Sequence, residues 1–398
     1  MSEGEILYVT FDGLGSPLGY SQVVRPVSGL AARGFRYRIL SLERERDLAD
    51  PDRLAKVRAH LDAAGVAWET LPYRASRTAN VRAVVRRLLT GPRPRLVHAR
   101  SYLSALAALT LRTARGVPYL FDTRGYWVDE RLDGNAWFTS EAALSLGRSV
   151  ERRLYRNAAA VVMLTEVAAS DVRHHLFGRH TGVPVRCIPT LTDYEDFAFR
   201  FDGAPVPDEA AALRDRLVLG HVGAINHAYR IEEMLTMARG VMQRRDDAHF
   251  LCLTRQEDEM RALLSGAGID VGRATVRSVS HAEIPGWLRV MDWAFVLRED
   301  SFANRAAMPT KLGELFATGV HPVAWGGNDD VRRWVQRAGT GRLLVDLDDA
   351  SLEDTVADVA TRAIDASPLR VARERSEPHF GLRGGVDAYA ALLSEIAG

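Results

Sequence analysis

The sequence predicts an α/β protein built of two doubly wound domains in tandem. Three observations carry this. Short apolar runs alternate with helical patterns from the start of the chain. The alternation lapses once, at about 190–215, where Pro189, Pro205 and Pro207 stand among acidic and small residues. It then restarts. The strand-like runs are apolar throughout rather than at every second residue, as befits parallel strands covered on both faces. The length of 398 residues agrees, since it exceeds one ordinary core.

Taken in order, "EILYVTF" (5–11) reads as a strand that runs into the glycine-rich "DGLGSPLG". "YSQVVRPVSGLAARG" follows with helical spacing and closes on Gly34. "RYRILSL" (36–42), "RLVHAR" (95–100), "PYLFDTR" (118–124) and "AAVVMLT" (159–165) continue the series, each followed by a helix-like stretch. "NVRAVVRRLLTGPRPR" (80–95) is a basic amphipathic helix candidate, either a solvated arginine face or a membrane-surface contact. Beyond the lapse, "RLVLGHVGAI" (216–225), "AHFLCLT" (248–254), "ATVRSV" (274–279), "WAFVLR" (293–298) and "HPVAWG" (321–326) read as strands, and the chain from about 351 reads as helical. The expected division is 1–195, a linker at 196–215, a second domain at 216–370, and C-terminal helices at 371–398 that cross back to the first domain. A cleft between the domains is expected to hold the ligand, since such sheets bind beyond the carboxyl ends of their strands.

Composition narrows the function. The chain is 47% hydrophobic and 26% charged, with a net charge of +1, so no overall field points to nucleic acid. Cys187 and Cys252 lie far apart and form neither a disulfide framework nor a metal-ligand spacing, which fits a reducing cytoplasm. The acidic start is not a signal peptide, and no run approaches the roughly 20 apolar residues of a membrane span.

The most informative stretch is "AAMPTKLGELFATGVHPVAWGG" (306–327). Pro309 suits a helix entry, Thr310 an N-cap and Gly319 an exit. The chain holds two lysines, Lys56 and Lys311, among fifty arginines, and Lys311 falls in the first turn of this helix. Free backbone N–H groups, the helix dipole and a cation then converge into an anion site. Glu314 lies three residues on, on the same side, where it suits the hydroxyls of a ribose. A nucleoside diphosphate uses all of these groups, whereas the plainer reading is a surface Lys–Glu pair.

"PTKLGELFATGVHPVAWGGNDDV" resembles the nucleotide-sugar signature of family 4 glycosyltransferases with the GT-B fold, whose usual form is close to P-x-K-x-x-E-x-x-A-x-G-x-P-V. "GSPLGYSQVVRPVSGLAARG", "VHARSY", "FDTRGYWVDER", "CIPTLTDYEDF" and "LGHVGAINHAYRIEEML" resemble further blocks of the family in the same order, so that the likeness spans about 1–345. It implies two Rossmann-like domains facing a central cleft, an N-terminal acceptor domain and a C-terminal nucleotide-sugar domain. It implies transfer from a nucleoside diphosphate sugar with retention, without a metal or other cofactor. The acceptor is a small molecule, a glycan or a lipid-linked molecule. Donor-binding residues carried over are Gly15, Gly223, Arg230, Arg305, Pro309, Thr310, Lys311 and Glu314.

Two departures stand out. The family's first glutamate, eight residues before Glu314, is Ala306 here. The Arg and Lys often found after the first strand of the second domain are reduced to Arg230; Arg305, with Arg298, supplies positive charge upstream of the signature instead.

On the other domain, "FDTRGYWVDER" brings charges to the end of a buried strand. Asp122 and Arg124 are the candidate catalytic residues, where many relatives place a histidine. An internal ion pair that shapes the loop is the competing reading. His98, Tyr126, Trp127 and Glu130 are candidate acceptor-side residues, with core packing the plainer role for the aromatics and for His98. Gly13, Gly15 and Gly19 do not fit G-x-G-x-x-G, which argues against a nicotinamide cofactor. "DLDD" (346–349) precedes a helical pattern and reads as a cap rather than a metal site. The alternatives to a transferase are a nucleotide-sugar epimerase or hydrolase of the same fold, or an inactive nucleotide-binding module.

Overall fold

The protein is described from a computed structural model, which covers residues 4–133, 140–174, 182–226, 228–325 and 328–396, with Arg46 given by its backbone alone. The first residues of the chain, His227 and the last residue of the expected strand 321–326 lie outside the described residues.

The chain forms two compact units. One comprises Met1–Leu191, Arg305–Ala307 and Leu382–Gly398; the other comprises Thr192–Asn304 and Met308–Gly381. The first holds a sheet of β1 (Ile6–Thr10), β2 (Tyr37–Glu43), β3 (Ala67–Pro72), β4 (Leu96–Arg100), β5 (Tyr119–Asp122), β6 (Ala160–Met163) and β7 (Val185–Cys187), in the order β3-β2-β1-β4-β5-β6-β7. The second holds β8 (Leu217–Val222), β9 (Ala248–Leu253), β10 (Ala274–Arg277), β11 (Trp293–Val296), β12 (His321–Trp325) and β13 (Arg342–Leu344), in the order β10-β9-β8-β11-β12-β13. The pairings in both sheets are parallel.

Both orders reverse direction beside their first strand, between β1 and β4 and between β8 and β11. At such a switch point the connections leave to opposite faces and open a crevice at the carboxyl ends. β8 and β11 pair only at Leu219–Trp293 and Gly220–Ala294, so the last residues of β8 run on past the ladder. Apolar burial on both faces holds each sheet. Along β1, Leu7 and Val9 feed one cluster while Ile6 and Tyr8 feed another.

The expected strands all form. β3, β7 and β13 were not legible in the sequence: β3 and β7 end the first sheet and β13 ends the second. β3 is half-exposed along its length, and the other two are three residues long, so none has an apolar run to announce it. The basic helix runs over Arg77–Thr90 rather than 80–95. Ser76 caps its start, and Pro92 and Pro94 lie beyond its end. In "DLDD", Asp348 accepts a hydrogen bond from the Ser351 N–H and caps the helix Asp349–Thr361.

The last helix, Leu382–Glu395, belongs to the first unit. Val386, Tyr389, Leu392 and Leu393 join the cluster that holds Val24, Val27 and Leu30. Gly29 admits this contact, since a Cβ there would come 2.9 Å from Val386. Burial of this kind is worth about 1.5–3 kcal/mol for each large apolar side chain. In the second unit Arg373 donates to the carbonyls of Tyr194 and Phe197, at 2.6 and 2.9 Å, and to that of Ala317, and so fixes the segment that opens the unit. Phe197 and Phe199 are buried there.

Candidate functional site

The second unit gathers its candidate donor-binding groups at the β8/β11 switch point. The helix Thr310–Thr318 follows β11 and ends on Gly319, whose φ of +83° and N–H bond to the Leu315 carbonyl form a left-handed stop. Pro309, not Thr310, is its N-cap. Thr310 is the first helical residue and its side chain makes no cap bond, because the proline before it already ends the extended chain. No side chain of the cap occupies the first-turn N–H groups, of which that of Leu312 donates to the Pro309 carbonyl at 3.1 Å.

Lys311 reaches from this turn across the end of β8. A Cβ on Gly223 would sit 2.2 Å from Lys311 Nζ, and Gly223 has φ +133°, so glycine is required there on both counts. The ammonium also stands 5.1 Å from the ring centroid of Tyr229. Its charge is felt by its neighbours. His221, at the end of β8, is pushed down to about 3 by burial and by Lys311. Burial raises the Cys252 thiol to about 12, with Lys311 opposing it.

Glu314 is 7% exposed and has no hydrogen-bond partner among the described residues. Burial pushes its carboxyl up to about 7 from 4.5, against the pull of Lys311. It shares a small cavity with Lys311, Val222, Phe295 and Leu315. This is not a solvated surface pair. A buried carboxylate without donors is costly, and such a group is suited to receive hydroxyl donors from a ligand.

Arg230 begins the helix Ile231–Arg244 and pairs with Glu299 at 2.9 Å and Glu233 at 3.3 Å, so its charge is largely answered within the protein. Arg305 lies in the first unit. It pairs with Asp171 at 3.3 Å, and its carbonyl accepts a hydrogen bond from Thr165 Oγ1 at 2.5 Å. Its neighbour Ala306 is fully buried in the apolar core cluster of the first unit, where an ionised glutamate would be costly. Gly15 belongs to the loop after β1. A Cβ there would meet the Asp47 carbonyl at 2.8 Å, so its role in this structure is packing of the loop.

The first unit has its own charged group at the β1/β4 switch point. Arg100 donates to Asp12 at 2.8 Å and lies 3.6 Å from Asp122. Asp122 is also 3.6 Å from Arg124 and 3.9 Å from His98 Nε2. Burial alone would raise the Asp122 carboxyl, but Arg124, His98 and Arg100 outweigh it and hold it well below the usual carboxylate range. Asp122 Oδ1 and His98 Nε2 have no hydrogen-bond partner among the described residues. Arg124 adopts φ +67°, a strained value for a residue with a side chain, and Ser101, at the end of the neighbouring strand, adopts φ +69°.

The other acceptor-side candidates divide. Tyr126 has no exposed surface; its hydroxyl donates to Asp171 at 2.8 Å, so it is part of the core. His98 is buried between Tyr8 and Tyr389, with Tyr37 on Nδ1 at 3.2 Å, and burial lowers its pKa. Trp127 is half-buried and stacked on Tyr102 at 5.8 Å. Glu130 is exposed on the helix Trp127–Asp133 and lies over Gly125. Sequence reasoning missed Tyr229 and His221 as neighbours of Lys311. Nothing in "GAINHAYR" shows that the chain folds back there, which a bridge between Tyr229 and Arg298 brings about. No group of three or more potential metal ligands occurs among the described residues, and no described helix is long and apolar enough to cross a membrane.

Comparison with known proteins agrees with this fold. Residues 21–189 match the family described as glycosyl transferase 4-like domain. Solved structures resemble the whole chain. Sucrose-phosphate synthase from Thermosynechococcus elongatus is 17% identical, with a TM-score of 0.74 and 99% of each chain covered. HepE from Anabaena, in complex with UDP and glucose, is 11% identical, with a TM-score of 0.71, and the match covers 99% of this chain and 100% of that one. MnaA of S. aureus, solved with UDP, is 10% identical, with a TM-score of 0.60 and 98% of each chain covered. The chain has the GT-B fold, with two Rossmann-like domains. A comparison with curated protein sequences finds no match.

Proposed function

We propose that the protein is a glycosyltransferase that moves a sugar from a nucleoside diphosphate donor to an acceptor, with retention of anomeric configuration and without a metal. The observation that carries this reading is the pairing of Lys311, held over Gly223 at the opening turn of a helix, with the buried and unpartnered Glu314 one turn further on. The first supplies a cation and backbone donors for a diphosphate, and the second an acceptor for ribose hydroxyls. The family match at 21–189 and the structural neighbours solved with UDP support the same reading and make UDP-sugars the first donors to test.

In the proposed reaction the bond between the anomeric carbon and the diphosphate oxygen breaks, and its electron pair leaves with the diphosphate. Lys311 and the helix N-terminus stabilise that developing charge. The acceptor oxygen attacks the same face, and its proton passes to the departing phosphate. No protein carboxylate is then needed as nucleophile. Ala306, buried in the core of the first unit, offers no carboxylate to the donor sugar, so sugar selection rests on other groups.

On the acceptor side Arg124 is the candidate contact, and Asp122, which is 1% exposed, positions it rather than meeting a substrate. Arg124→Ala is expected to lower kcat about ten-fold, equivalent to roughly 1.4 kcal/mol, with a much smaller effect on UDP affinity. Steady-state kinetics with UDP-sugar and an acceptor panel check this, and full turnover would move the acceptor chemistry away from Arg124. NMR of the new linkage reads the anomer; an inverted product would rule out retention. Donor turnover without any acceptor, or release of an epimerised sugar, would favour the hydrolase or epimerase alternatives.

A further inference from the structure

Two cations share one aromatic ring in the second unit. Lys311 Nζ stands 5.1 Å, and Arg298 Cζ 5.6 Å, from the centroid of Tyr229. The backbone sets this up. Tyr229 bridges Arg298 in antiparallel fashion, the Arg230 N–H donates to the Leu297 carbonyl, and the Glu299 N–H donates to that of Ala228. The segment after β8 is thereby fastened to the chain leaving β11. The His221 ring closes the other edge of Tyr229 at 5.8 Å.

Arg298 differs from Arg230 and Arg305 in that it forms no ion pair among the described residues. Its Nε is buried without a hydrogen-bond partner. It lines a small cavity with Pro309, the cap of the Lys311 helix, and with Asn304 and Trp325, whose Nε1 is a second buried donor without a partner. Two unanswered donors, one of them part of a guanidinium without an ion pair, suit an acceptor-rich ligand in a cavity that Glu299 also lines. Glu314 shares a cavity with Lys311 and Glu299 one with Arg298, but neither cation forms an ion pair with them among the described residues, and the two cations repel each other. The negative face of a ring offsets part of that cost while no anion is bound.

We propose that Tyr229 is a positioning residue that gathers Lys311 and Arg298 into one diphosphate-binding group, with Arg298 as its second cation. This rests on the reading that Lys311 binds the donor phosphates. The phenol reports the same geometry: burial acts to raise its pKa, but the charges of Lys311 and Arg298, and a hydrogen bond from Lys311, bring it below the ordinary value.

The presence of only two lysines makes the test direct. Lysine labelled with 13C at Cε gives two side-chain signals, from Lys56 and Lys311. UDP and inorganic diphosphate are expected to move that of Lys311 alone. In Tyr229→Leu, the Lys311 signal of the free protein shifts as the ring is lost, and both ligands bind about five-fold or more weakly, in line with a desolvated cation–π contact. Uridine affinity stays unchanged. Tyr229→Phe, which keeps the ring, stays within about two-fold of the unaltered protein. Arg298→Gln leaves the ring in place and weakens both phosphate ligands by a similar factor, which keeps the test open should Tyr229→Leu not fold. Full affinity in Tyr229→Leu or in Arg298→Gln, or a Phe variant as weak as the Leu one, overturns the proposal while leaving the phosphate site intact. A UDP titration of the unaltered protein that moves neither lysine signal removes the phosphate reading itself.

Discussion

Lys311→Ala is expected to weaken UDP binding by about 1.5–3 kcal/mol, or roughly ten- to more than a hundred-fold, the scale of a charge-assisted hydrogen bond at a partly desolvated site. The effect is large because Arg230 of the same unit is committed to Glu233 and Glu299, so that Arg298 on the far side of the Tyr229 contact is left to carry the charge alone. Lys311→Arg is not a conservative change. The ammonium lies where a single methyl group on Gly223 would collide with it, and a planar guanidinium does not fit that space. Isothermal calorimetry with UDP and with inorganic diphosphate checks this, and undiminished affinity in Lys311→Ala would mean that the phosphates bind elsewhere.

Glu314→Gln is expected to act in opposite directions on stability and on binding. The Glu314 carboxyl is pushed up from 4.5 to about 7 in the folded protein, chiefly by burial. A carboxyl raised in this way imposes no penalty below its unfolded pKa. The penalty grows as pH rises from about 4.5 to about 7, and is complete above that. At about 1.4 kcal/mol per unit it reaches roughly 3–3.5 kcal/mol. Glutamine escapes it, so the variant should be more stable than the unaltered protein at pH 8 by about that amount, and much less so at pH 5. Urea unfolding at both values reads the difference; equal gains at the two pH values would show that ionisation is not the cause. Binding should run the other way. The glutamine accepts ribose hydroxyls less well, so UDP loses more affinity than inorganic diphosphate does. Equal losses for both would contradict the ribose role. A site that is unstable when empty and satisfied when filled is a common signature of function.

The fold was largely legible because it is written in long-range averages. Apolar runs such as Val218–Val222 and Phe250–Leu253 must be buried on both faces wherever the chain takes them. β3, β7 and β13 escaped because edge strands carry little apolar signal. The site was legible where its groups are local. Lys311 and Glu314 share a helix, so three residues of spacing already placed them side by side. It was not legible where groups meet through tertiary structure. Tyr229 and Arg298 lie far apart in sequence, and their meeting depends on a bridge beyond the ends of β8 and β11. Burial was equally hidden. "FDTRGYW" looks like a loop of accessible charges and rings, yet Asp122 and Tyr126 are almost wholly enclosed, with Arg124 left in strained backbone beside them.

The last helix of the chain completes a core begun by its first residues, and this bears on how the protein is made. Val24, Val27 and Leu30 leave the ribosome early but await Val386, Tyr389, Leu392 and Leu393, which are synthesised more than three hundred residues later. The usual order, in which an N-terminal domain finishes folding while the rest is being translated, is therefore closed to the first unit. Its β1–β4 region can assemble, but one apolar face stays bare until the helix Leu382–Glu395 has emerged. Loop closure over more than three hundred residues then adds only logarithmically to the entropic cost, so the late docking is slow to begin rather than weak once made. A nascent chain stalled before residue 382 should accordingly be a chaperone client, and a stop codon there a folding defect of the opposite end of the protein.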